Sequence, residues 1–117
     1  MINRDNLVDR FIRYVKIDTQ SDDTVTDRFP STEKQLVLSN LLVKELKELG
    51  VEDVNIDEFG YVMATIPANT TKNVPTLGFL AHVDTAPDMP GKDVKPRFVE
   101  NYDGADIVLN KEKDVVL

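Results

Sequence analysis

The chain of 117 residues suffices for one domain with a single hydrophobic core, and its 41% hydrophobic and 30% charged residues argue against a disordered tail or a collagen-like repeat. Its net charge of -7 argues against a nucleic-acid-binding surface, because phosphate binding requires clustered Lys and Arg. The absence of cysteine excludes disulfides, thiolate metal sites and cysteine nucleophiles.

The sequence also bears on location. No apolar run approaches the roughly 20 residues that a membrane-spanning helix needs, and the first residues lack the apolar stretch of a signal peptide. The lack of cysteine fits a reducing compartment. We therefore expect a cytoplasmic protein that has no membrane or nucleic-acid partner.

Two helices are predicted in the first half of the chain. From Asn6 to Ile17, apolar residues recur at helical spacing and charged residues occupy the other side. The second helix is predicted to begin near Thr32, which has Gln35 three positions later, the spacing of a capping box. Gly50 suits the left-handed conformation that ends many helices. The predicted buried stripe of the second helix consists of Leu38, Leu41, Leu42, Leu46 and Leu49.

A polar loop connects the two helices. Its acidic residues are spaced in a way that superficially suggests a calcium loop, but the required glycine and terminal Glu are missing, so we assign no metal there. These acidic residues are Asp18, Asp22, Asp23 and Asp27. Ser21 and Ser31 have no histidine near them in sequence, which argues against a serine hydrolase.

Strand-like patterns follow Gly50. Val54 and Ile56 alternate with polar residues, and a second alternating run extends from Tyr61 to Ile66, which together predict a β-hairpin. The segment from Thr76 to Val83 has an almost continuously apolar centre, as in a strand that is covered on both faces. We predict that it is a buried central strand.

The later chain is punctuated by Pro and Gly, with short β-like pieces predicted at 97–99 and 107–109. The fold class predicted from these patterns is α/β, with helices packed on a mixed β-sheet. The sequence ends on an apolar run, from Asp114 to Leu117, and from this we expect that the chain has been cut from a longer protein.

The only histidine, His82, lies at the end of the predicted buried strand, and Asp84 follows two positions later. In an extended chain, residues two apart point to the same side, so both side chains would lie at the edge where open α/β sheets bind ligands. An imidazole can bind Zn²⁺ through one nitrogen while a carboxylate accepts a hydrogen bond from the other. This spacing alone is a weak signal, because a strand-end histidine is more often a hydrogen-bonded structural residue.

A family resemblance adds to this reading. The run from Gly78 to Asp88, GFLAHVDTAPD, resembles the first metal-binding segment of the peptidase T family of co-catalytic zinc exopeptidases. Further segments resemble this family in the same order along the chain. These segments are Asp18–Ser21, Pro30–Glu33, Met63–Asn69 and Val99–Tyr102.

The resemblance implies that residues 1–117 are the amino-terminal part of a zinc-peptidase catalytic domain. It implies that His82 is a zinc ligand and that Asp84 has a catalytic role as the carboxylate that orients it. The bridging Asp, the general-base Glu and the remaining ligands of the family would come from later sequence. The implied parent binds two zinc ions and releases the amino-terminal residue of tripeptides, whereas this chain alone has at most one partial zinc site and should be inactive.

Two alternatives to the tripeptidase remain open at this stage. One is a related dipeptidase or deacylase, and the other is a non-catalytic α/β interaction module that binds a partner through its acidic face. For the tripeptidase, the expected partner is a small peptide substrate. The oligomeric state is not predicted.

Overall fold

The structure is a computed structural model that describes residues 3–117. Helix α1 spans Arg4–Val15, two residues earlier than predicted at each end. It begins there because the side chain of Asn3 accepts hydrogen bonds from the backbone amides of Asp5 and Asn6, which have no partner within the helix.

Helix α2 spans Gln35–Glu48. Gly50, two residues after its last helical residue, has the predicted left-handed conformation, with a φ of 85°. The predicted capping box does not form, since the helix has no side-chain cap and the Thr32 hydroxyl donates instead to the carbonyl of Gln20. Within the predicted stripe, Leu38 is buried, whereas Leu49 is exposed. Leu41, Leu42 and Leu46 are half-buried, so the covering of the stripe ends before Leu49.

The predicted hairpin is confirmed. Strand β1 (Asp53–Ile56) pairs antiparallel with β2 (Val62–Thr65), and α2 packs against both strands. The turn is closed by the Asp57 carboxylate, which accepts from the amides of Phe59 at 3.0 Å and Tyr61 at 2.9 Å. The Ser39 hydroxyl donates to the carbonyl of Gly60 at 3.1 Å and ties the turn to α2.

The prediction of a buried central strand from Thr76 to Val83 is wrong for this chain. The segment forms no regular strand, and the side chains of Phe79 and Leu80 are 94% and 98% exposed. A strand becomes buried only when neighbouring strands and a covering layer accept its backbone and side chains. Among the described residues, no strand lies beside this segment.

The last elements are short. Strand β3 (Val108–Asn110) pairs antiparallel with β4 (Val115–Val116), close to the predicted piece at 107–109, but residues 97–99 form no strand. The two helices and small sheets confirm the α/β class, although pairing inside both sheets is antiparallel and the parallel contact is one bridge between Gln20 and Thr85. Within residues 3–117, no helix has the length and apolar character needed to cross a membrane.

Candidate active site

The structure brings the two predicted site residues together. Nδ1 of His82 lies 3.1 Å from Oδ1 of Asp84, so both side chains project to the same side of the extended chain. The His82 side chain is 85% exposed and that of Asp84 is 41% exposed. Since Nδ1 faces the carboxylate, Nε2 is the ring nitrogen that remains available to a ligand.

The chain immediately after Asp84 is held by the loop between the helices. The amide of Ser21 donates to the carbonyl of Thr85 at 2.9 Å, and the amide of Thr85 donates to the carbonyl of Thr19 at 3.2 Å. The Ser21 hydroxyl donates to the same Thr85 carbonyl at 3.0 Å. Thr19, at the centre of this contact, is buried. The residue next to Asp84 is therefore bonded on both sides of its α-carbon.

Gln20 extends this attachment along the chain. Its side-chain Nε2 donates to the carbonyls of Pro87 at 2.9 Å and Met89 at 3.0 Å. The chain then passes close to the loop at the buried Gly91, where an added Cβ would lie 2.8 Å from Oδ1 of Asp18 and 3.2 Å from Cβ of Gln20. The close approach favours glycine at this position, because an added Cβ would have to displace the Asp18 carboxylate and would crowd Gln20.

The same loop is fixed to the beginning of α2. The Thr32 hydroxyl donates to the Gln20 carbonyl at 2.8 Å, and the Lys34 ammonium lies 2.9 Å from Oδ1 of Asp18. The hydrogen bond from Lys34, together with that from the amide of Gln20, holds the pKa of Asp18 below its usual range. Ser21 thus makes backbone contacts to Thr85 rather than pairing with a base.

A cavity of about 800 Å³ separates the segment that carries His82 from the helices and the hairpin. Its walls include Phe79 and Asp84 on one side and Leu42, Leu46 and Tyr61 on the other. The predicted apolar strand and the apolar face of α2 therefore face one space without filling it.

A charged cluster joins the two helices at the edge of this cavity. Glu45 of α2 is 7% exposed, forms an ion pair with Arg13 and accepts a hydrogen bond of 2.5 Å from the Tyr14 hydroxyl. Nε of Arg10 lies 3.0 Å from the same carboxylate, without the alignment of a hydrogen bond. Burial opposes ionisation of Glu45, but these donors outweigh it and lower its pKa, while burial and the bond to Glu45 raise the pKa of Tyr14 to about 12.

The described residues supply only part of a metal site. One imidazole and one carboxylate lie together at His82 and Asp84, and no group of three or more His, Asp or Glu side chains is gathered anywhere in residues 3–117. A catalytic zinc generally needs three protein ligands and a water. The donor types fit zinc, but their number is below the three protein ligands that a catalytic zinc generally needs.

Comparison with known proteins finds peptidase T sequences. The chain is 60% identical over 111 residues to peptidase T of Clostridium novyi (strain NT). The aligned region covers 95% of this chain and 27% of that relative. The chain is 59% identical over 114 residues to peptidase T of Bacillus subtilis (strain 168), which covers 97% of this chain and 28% of that relative. The resemblance to peptidase T is confirmed. No family model matches the chain.

The match to peptidase T has two consequences. Only six residues of the 117 lie outside the 111 aligned with the Clostridium novyi relative, so a continuous match must include His82 and Asp84. The chain spans between 27% and 28% of the length of the peptidase T relatives it matches. Most of a protein of that length therefore has no counterpart here.

Sequence reasoning did not find the contacts of Gln20 and Ser21. Their partners at Thr85, Pro87 and Met89 lie 64 to 69 positions away in the chain. Local periodicity cannot predict pairing over such a distance. The signal that was present is the resemblance of the segment Asp18–Ser21 to peptidase T, which marks the segment without saying what it contacts.

Proposed function

We propose that this chain is part of a zinc-dependent aminopeptidase that releases the amino-terminal residue of tripeptides, acting in the cytoplasm. The observation that carries the proposal is the pairing of His82 Nδ1 with Asp84 Oδ1 at 3.1 Å, on an imidazole whose other nitrogen is open to solvent. The chain is about 60% identical to proteins named peptidase T, and this name supports peptide hydrolysis as the reaction class.

In this proposal His82 is a zinc ligand through Nε2, and the Asp84 carboxylate accepts a hydrogen bond from Nδ1–H, so that the ring keeps one tautomer and one orientation. Zinc, when bound, supplies Lewis acidity that lowers the pKa of a water and polarises the scissile carbonyl. The contribution of this chain is to present one neutral imidazole in a fixed direction. The remaining ligands, a second zinc and the general base would come from polypeptide outside it.

The chain by itself should therefore have no peptidase activity. One imidazole with one supporting carboxylate cannot replace the three protein ligands of a catalytic zinc. The tripeptidase proposal concerns a protein in which this sequence is continued to the length of its relatives.

A chimera provides the test. This chain replaces the matching segment of the Bacillus subtilis peptidase T, and the chimera is assayed for bound zinc and for tripeptide hydrolysis before and after the change His82→Ala. We expect the variant to lose zinc and turnover. Asp84→Ala should reduce metal affinity or activity by about 10- to 100-fold, the usual cost of removing a carboxylate that orients a metal-bound histidine.

A matched control is available in the hairpin turn. Glu58 is an exposed carboxylate between β1 and β2, outside the segment that resembles the metal-binding run, so Glu58→Ala should leave zinc content and turnover unchanged. If the His82→Ala chimera keeps its full zinc content and activity, the assigned role is wrong. Parallel assays with dipeptides and acylated amino acids separate the tripeptidase from a related dipeptidase or deacylase.

A further inference from the structure

We propose that Gln20 and Ser21 are positioning residues that form a clamp on the segment from Thr85 to Met89, and that this clamp fixes the direction of Asp84 and, through it, of the His82 ring. The clamp is defined as Gln20 and Ser21 with their bonds to this segment. The inference rests on the proposed function only in giving the orientation of His82 a purpose.

The residue after Asp84 is held at both of its backbone polar groups. Thr85 has its carbonyl bonded by both the amide and the hydroxyl of Ser21, and its own amide bonded to the Thr19 carbonyl. The peptide groups on both sides of its α-carbon are therefore fixed. Because the peptide that enters Thr85 also contains the carbonyl of Asp84, the direction in which the Asp84 side chain leaves the chain is restricted.

Gln20 holds the residues that follow Thr85. Its amide nitrogen has two hydrogens, and two backbone carbonyls, those of Pro87 and Met89, lie within 3.0 Å of it. This arrangement holds the chain after Thr85 against the loop over the next four residues. Gly91 completes the contact, since even one added carbon would collide with Asp18.

The segment that carries His82 and Asp84 is supported only on its downstream side within the described chain. Before His82 the chain is free of strand pairing, and Phe79 and Leu80 are almost fully exposed. After Asp84 the clamp is itself bonded to the start of α2 through Thr32. Within the described chain, the orientation of His82 therefore depends on the downstream attachment.

The test uses the metal-free chain, in which His82 is the only histidine and gives a single set of ring ¹⁵N signals. At a pH where imidazole is neutral, the Nδ1–H tautomer should be more populated in the folded chain than in the same chain in urea, since Nδ1 faces Asp84. Ser21→Ala should shift the tautomer ratio towards the value in urea. Ser21→Ala should also speed hydrogen exchange of the Thr85 amide by about 2- to 10-fold, because loss of the hydroxyl bond to the Thr85 carbonyl weakens the attachment that protects this amide.

Two variants separate positioning from general damage. Ser21→Thr keeps the hydroxyl, so the tautomer ratio and the Thr85 exchange rate should stay as in the unaltered chain. Gln20→Glu keeps the shape of the side chain but removes the donor, so it should shift the tautomer ratio as Ser21→Ala does. Thr24→Ala removes an exposed hydroxyl bond of the same loop outside the clamp, 2.6 Å to Asp22, and should change neither reading.

The outcomes are decisive in both directions. Unchanged hydrogen exchange of the hairpin amides in each variant shows that the fold is intact. An unchanged His82 tautomer in both Ser21→Ala and Gln20→Glu would overturn the proposal, even if the Thr85 amide exchanged faster, because the clamp would then hold the backbone without orienting the ring. These readings need no zinc, so they stay separate from the zinc and turnover measurements that decide the proposed function.

Discussion

Residues 4–65 and residues 66–117 are built from similarly apolar sequence but reach different degrees of burial. All four buried side chains of the described chain lie in the first region: Thr19, Leu38, Ser39 and Glu45. In the second region, Ile66, Leu77, Phe79 and Leu80 are each more than three-quarters exposed. In the first region α2 packs against the hairpin and is joined to α1 through Glu45, whereas residues 66–80 of the second region pair with no strand among the described residues.

The size of the molecule expresses the same difference. Its accessible surface is 10382 Å², compared with about 6,400 Å² for a compact monomer of this length. Its radius of gyration is 17.9 Å, compared with about 13 Å. This excess surface indicates that an apolar pattern makes a segment suitable for a buried strand but does not supply the neighbouring strands and covering layer that would bury it.

The largest expected effect compares one leucine from each region. Leu38→Ala should lower the free energy of unfolding by about 3 kcal/mol, since Leu38 is 6% exposed and its loss leaves a gap between α2 and its neighbours. Leu80→Ala, at a side chain that is 98% exposed, should change it by less than about 0.5 kcal/mol. Urea unfolding followed by circular dichroism measures both.

The comparison between regions fails if the two leucine variants lose similar stability. In that case Leu80 would be packed in solution, and the apolar segment would already have a partner. Equal slopes of unfolding free energy against urea concentration in both variants are needed to ensure that the compactness of the end states has not changed.

A smaller effect, dependent on pH, is expected at the charged cluster of the first region. The pKa of Glu45 is lowered from 4.5 in the folded chain, so its charge stabilises the fold above that pH and the contribution is lost as pH falls through the folded pKa. Glu45→Gln should therefore cost about 2 kcal/mol at neutral pH. The difference from the unaltered chain should shrink towards zero in acid.

Glu48 serves as the control for this measurement. It lies on the same helix, 62% exposed and 3.7 Å from the Lys44 ammonium, so Glu48→Gln should cost less than about 0.5 kcal/mol. Melting temperatures of the three chains measured between acidic and neutral pH give the comparison. A cost of Glu45→Gln that is constant over this range would show that the carboxylate charge does not stabilise the fold.

The elements that the sequence predicts correctly are those with local signals. Helical spacing identifies α1 and α2, alternation identifies the hairpin, and Gly50 ends α2 with its positive φ. The segment from Thr76 to Val83 defeats the same reasoning, because continuous apolarity reports what a strand would require and does not report whether its neighbours are present. The capping prediction at Thr32 fails for a related reason, since a distant carbonyl takes its hydroxyl.

The candidate site divides in the same way. The closeness of His82 and Asp84 could be predicted, because a spacing of two in an extended chain is a local property. The attachment of the following residues to Gln20 and Ser21 could not, because it joins positions more than 60 residues apart. Within residues 3–117 no third His, Asp or Glu side chain is gathered beside this pair.

The smallest expected effect compares two glycines with nearly the same backbone conformation, Gly60 at φ 84° in the hairpin turn and Gly104 at φ 88° in the second region. An added Cβ at Gly60 would lie 2.9 Å from Cδ2 of Leu36, whereas nothing lies within 4 Å of one at Gly104. Gly60→Ala should cost about 1–2 kcal/mol of unfolding free energy from the left-handed conformation and the contact with α2 together. Gly104→Ala meets the same conformational penalty, but we expect its weakly buried region to contribute little to cooperative unfolding, so the global cost should stay below about 0.5 kcal/mol. If urea unfolding gives equal costs, residues 66–117 unfold together with the helices and hairpin, and the two regions form one cooperative unit despite the difference in their burial.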